Sequence, residues 1–159
     1  VTERASAAVA EHVAFLRQGE DLLAGLSDAD YPAIGPHLRH AIEHYDLLFA
    51  GLSEGRVDYD ARSRDPRLEN ERTAAVAALA RIRERLAGIR KEDAGRPLRV
   101  AAWEDLSSSL GRELHYLLGH TIHHYALVAS ILRARGMEVP SDFGVAPSTL
   151  RFRIASCAR

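Results

Sequence analysis

Sulfur is nearly missing from this chain: its 159 residues hold one cysteine, Cys157, and one methionine, Met137. A lone cysteine excludes a disulfide within the chain and any cysteine-based zinc site, and a reducing cytoplasm is the simple expectation. A surplus of one charge is lacking too. With 21 basic against 22 acidic residues the formal charge is -1, and no basic block interleaves with aromatics, so nucleic acid is not an expected partner. No apolar run approaches the roughly 20 residues of a membrane span. The opening Val1-Thr2-Glu3-Arg4 does not read as a signal peptide, and a soluble chain without a membrane partner is expected. Gly-rich phosphate loops, a Gly-x-Ser-x-Gly elbow and CxxC pairs are also absent, which removes the footholds of nucleotide, acyl-enzyme and dithiol chemistry. The length suits one domain, residues 1–159.

What the chain has is helical periodicity. Val9, Val13, Leu16, Leu22, Leu23 and Leu26 recur at mostly helical intervals and predict a first helix over residues 2–26, closed by turn chemistry at 27–32. Ile34-Gly35-Pro36 opens a second helix to about residue 52, since proline fits a first turn whose amide lacks a partner anyway. There Leu38, Ala41, Tyr45, Leu48 and Leu52 form an apolar stripe, with Arg39, Glu43 and Asp46 on the opposite arc. Residues 53–65 make a polar connection, read either as a solvated loop or as a lid whose Tyr59 or Arg62 reaches a substrate. A third helix is expected over 66–91 from Leu68, Ala75, Leu79, Ile82, Leu86 and Ile89. After an extended stretch at 98–103, Ser107, Ser108 and Ser109 offer N-caps for a last long helix over 109–135, with Gly136 as its stop. Residues 137–159 read as a short irregular tail. The expected fold class is all-α.

Eight histidines are present, and random placement would give about a third of one i,i+4 pair. The chain has two, His40/His44 and His120/His124, each in an apolar helical setting. One helical turn apart, His120 and His124 leave the same face and can converge on a metal ion, with a third imidazole supplied by the cluster His37, His40 and His44. Three imidazoles leave a coordination position open, unlike a closed structural zinc site. The segment His120-Thr121-Ile122-His123-His124 lacks the glutamate of the HExxH metalloprotease motif, and the Glu-x-x-His repeats of di-iron bundles are missing, so a mononuclear, all-imidazole site remains. Glu113, two turns before His120, is read either as an orienting carboxylate at the site or as an acid favoured by the helix dipole. His12 is expected to be ordinary and partly exposed, and His115 and His123 to lie at the surface or in helix contacts.

The Ile34-Gly35-Pro36-His37-Leu38-Arg39-His40 opening, the Glu113-Leu114-x-x-Leu117 segment leading to His123-His124, and the HxxxH pair His120/His124 resemble the DinB-like family of metal-binding four-helix proteins. The resemblance implies an up-down-down-up four-helix bundle, homodimers, and a divalent zinc, nickel or iron ion held by His40, His120 and His124. His44 and His37 are the other residues for the first of these roles. It also implies a metal-dependent enzyme that activates a low-molecular-weight thiol, an S-transferase-like protein with Glu113, Tyr59 or Arg62 near a small-molecule substrate. A Lewis-acidic metal lowers a bound thiol's pKa and presents thiolate at neutral pH. A hydrolase using bound water, and a non-catalytic metal-binding or structural bundle, are the alternatives.

Overall fold

The computed structural model describes residues 7–102 and 104–157, so the start of the expected first helix and Trp103 at the end of the extended stretch lie outside the described residues. The chain is mostly helical. Four long helices, α1 (Ala7–Ala24), α2 (Gly35–Gly51), α4 (Arg72–Ala87) and α5 (Leu110–Ala134), pack so that α1 and α2 each touch both α4 and α5. Between them lies one continuous apolar cluster built from the periodic residues, among them Leu16, Leu23, Leu38, Leu48, Leu79, Ile82, Leu86, Leu117 and Val128.

The all-α expectation is corrected by a small sheet of three strands. β1 (Arg56–Val57) pairs in parallel with β2 (Pro97–Val100), which pairs antiparallel with β3 (Leu106–Ser109). Val57 and Leu98 bury their side chains, which anchors the strands on the helices. Short strands among polar neighbours carry almost no periodic signal, so β1 and β3 read as loop and cap. Ser109 closes β3 and also caps α5, accepting a hydrogen bond from the Arg112 amide at 3.3 Å. The end of the sheet thereby fixes where α5 begins.

Two further boundaries differ from expectation. The third helix is broken at Glu71, whose extended backbone (φ -112°, ψ 103°) separates α3 (Pro66–Asn70) from α4. Asp65 starts α3 by accepting from the Arg67 amide at 2.8 Å, and Leu68 buries against the core. The tail is not irregular throughout: α6 (Pro147–Cys157) follows Gly144, which takes the left-handed φ of 69°. Among the described residues no helix is long and apolar enough to cross a membrane.

Candidate metal centre

Helices α2 and α5 lie side by side and aim their histidines at one another. His40 Nε2 stands 3.0 Å from His120 Nε2, and His37 Nδ1 stands 3.1 Å from His124 Nδ1. Each of His40, His120 and His124 offers a ring nitrogen, and the three nitrogens lie within 4.8 Å of one another. Two imidazole nitrogens on a tetrahedral zinc, with bonds near 2.0–2.1 Å, would stand about 3.3 Å apart. The His40–His120 spacing is within a few tenths of an ångström of that, and the third nitrogen, from His124, lies within 4.8 Å of both, so the donor set suits a divalent metal once the rings draw together. His120 Nδ1 is buried with no hydrogen-bond partner among the described residues. Pairwise hydrogen bonding between imidazoles therefore does not account for the cluster by itself.

The electrostatics favour ligation. Burial, followed by the coulombic effect of neighbouring imidazoles, lowers His120 and His124 from 6.5 to about 3. Burial first, then His44 and the guanidinium of Arg62, lowers His40 to about 4. At neutral pH all three rings are uncharged, the form that binds a cation. His44 is lowered as well, mainly by burial, and its Nδ1–H donates to the His40 carbonyl at 2.8 Å.

The remaining expected site residues fall around this cluster in different ways. Tyr59 stacks on His44, with centroids 5.4 Å apart and planes inclined by 14°, and its hydroxyl donates to Glu113 Oε2 at 2.9 Å. Arg62 donates from Nη1 to His40 Nδ1. The segment 58–65 is thus bonded to the site and is not a freely solvated loop. Glu113, only 1% exposed, sits in the first turn of α5 and accepts from Tyr59, Ser108 and Arg112. Its bonds tie this segment and β3 to the helix, where the positive end of the dipole also favours a carboxylate. His115 and His123 are exposed, as expected.

Other residues escaped the sequence reading. Tyr116 stacks on His120 at 5.6 Å and 18°, a contact whose signal was its place one turn before that histidine. His12 is corrected from partly exposed to 1% exposed: its Nδ1 lies 2.9 Å from the Tyr45 hydroxyl, it bonds the Leu114 backbone, and Thr121 Oγ1 lies 3.2 Å from the same hydroxyl. Glu43 is corrected from the charged arc to 3% exposed, because residues 63–65 fold over it: Ser63 Oγ (3.1 Å) and the Asp65 amide (2.8 Å) both donate to its Oε1.

Fold and site together define a mostly helical protein with a cluster of neutral imidazoles between two of its helices. No family model matches the chain, and no solved structure matches it. It is similar to FK506-binding protein 5 of Rhizopus delemar, 40% identical over 103 residues, a match covering 60% of this chain and 27% of that protein. The chain therefore spans about a quarter of the length of the curated relative it matches. The DinB-like resemblance is corrected by these findings. So are the thiol S-transferase and hydrolase readings that came with it, since the relative carries the name of an FK506-binding protein. The physical reason is that HxxxH and a Gly-Pro helix opening are short patterns which any pair of histidine-bearing amphipathic helices can show.

Proposed function

We propose that this chain binds one divalent transition-metal ion through His40, His120 and His124. The observation that carries the reading is the convergence of three neutral ring nitrogens from two helices within 4.8 Å. Imidazole suits zinc, nickel and iron, and three protein ligands leave room for water or a small polar ligand. The mutual packing of the four long helices around an apolar cluster supports a one-domain four-helix arrangement, in which α2 and α5 hold the ion between them. Isothermal titration of zinc into metal-stripped protein tests this. A stoichiometry near one, abolished in His120→Ala, is the expected result.

A second reading rests on the relative, whose name states that it binds FK506. This chain has a half-open cavity of about 360 Å³ between α1 and the end of α5, with Leu22, Leu26, Leu132, Met137 and Phe143 on its walls and the acids Asp21, Glu138 and Asp142 among them. FK506 bound there would raise the melting temperature, and Leu22→Asp, at a partly buried wall position, would abolish the rise while leaving the protein folded. An unchanged melting curve at saturating FK506 would remove this reading and leave the metal site untouched.

A further inference from the structure

We infer that Arg62 is a displaceable latch on His40, released by metal binding onto the free oxygen of Glu43, so that this pair sets the site's metal affinity. The inference rests on the proposed metal site. A guanidinium has donors only and stays protonated in proteins, so the His40 Nδ1 that faces Arg62 Nη1 offers its lone pair. The proton of that neutral ring is then on Nε2, where it donates to His120 Nε2 at 3.0 Å. Neither nitrogen of His40 is free for a metal in this arrangement. Ligation through Nδ1 would displace the guanidinium directly. Ligation through Nε2 would move the ring proton to Nδ1 and set it against an N–H of Arg62, two donors in contact. Ligating imidazoles instead give their second N–H to an acceptor or water. By either route Arg62 leaves.

The place it goes is already built. Glu43 lies three residues after His40 on α2, and its Oε2 is buried without a hydrogen-bond partner, as is Arg62 Nε, among the described residues. Both residues line the same cavity of about 300 Å³. Ser63 and Asp65, which bond the other oxygen of Glu43, belong to the same segment as Arg62, so the acceptor is held beside the moving side chain. A buried carboxylate oxygen and a guanidinium gain a charge-assisted hydrogen bond when they meet. Metal entry and the conformation of residues 58–65 are thereby coupled.

The test is cobalt(II) titration followed by its visible spectrum, on wild type, Arg62→Met, Glu43→Gln and Arg81→Met. Arg81 lines the same cavity but pairs with Asp46, so its variant removes a cation without touching His40. Arg62→Met is expected to bind about tenfold more tightly, the size of one lost competing hydrogen bond, Glu43→Gln several-fold more weakly, and Arg81→Met like wild type. Nitrogen-15 NMR of the wild type should show the His40 proton on Nε2 before zinc is added and a shifted Arg62 Nε resonance afterwards, a shift absent in Glu43→Gln. Cobalt binding by wild type with no gain in Arg62→Met, or an Arg62 resonance that zinc leaves in place, would overturn the latch while the metal site stands. Binding by Arg62→Met alone would support it. Binding by neither protein would overturn the metal reading and the latch with it.

Discussion

His12 is the residue whose position says most about how this core responds to acid. It is enclosed among α1, α2 and α5, hydrogen-bonded to the Tyr45 hydroxyl at 2.9 Å and to the Leu114 backbone, and burial lowers it from 6.5 to about 4. A lowered histidine stays neutral in the folded chain while the unfolded chain takes up a proton. Stability is therefore full above pH 6.5 and falls as the pH drops from 6.5 to about 4. The contribution of this one residue is on the order of 3 kcal/mol. Denaturant unfolding of wild type and His12→Asn at pH 7 and pH 4.5 should show a clearly smaller acid loss in the variant; equal losses would mean that His12 is not enclosed as described. Tyr59 supplies a second check at this scale. Tyr59→Phe removes one donor to the buried Glu113 and keeps the stack on His44, so a loss of about 1–2 kcal/mol is expected.

At the scale of the elements, the close approach of α2 to α3 positions the first candidate ligand, His40. A Cβ on Gly35 would stand 1.8 Å from the Glu69 carbonyl oxygen, so only glycine lets the start of α2 sit there. Gly35→Ala should cost about 1–3 kcal/mol and, by shifting the turn that carries His37 and His40, weaken zinc binding as well. An alanine variant with wild-type melting and zinc affinity would contradict this packing. The long helices were legible because Leu38, Leu48, Leu79 and Val128 repeat at the helical period and do face the core. The break at Glu71 was not legible, since Leu68 and Ala75 stay in register across it and periodicity does not register a single extended residue. The strands were invisible for a related reason: two to four residues hold too little pattern, and Ser107, Ser108 and Ser109 serve a strand and a cap at once.

For the whole molecule, the histidine cluster of the candidate site was legible in part from sequence, because i,i+4 spacing fixes which histidines share a helix face. Spacing within one helix does not say which residue of another helix meets it, so the pairings of His40 with His120 and of His37 with His124 come only from the packing of α2 on α5. The burial of Glu43 and His12 depends on neighbours brought from 20 and 33 residues away, beyond any local pattern. The similarity to a curated protein was not legible in the motifs either. The relative with 40% identity over 103 residues bears a different family's name, and this chain covers 27% of it. The proposed metal site rests on the arrangement of α2 and α5 and not on that similarity. Elemental analysis of protein purified without a metal-affinity tag, comparing wild type with His40→Ala, His120→Ala and His124→Ala, tests this most directly. About one zinc, nickel or iron ion per wild-type chain, lost in all three variants with the fold retained, is the predicted result; a wild type that holds no metal even after incubation with these ions would contradict it.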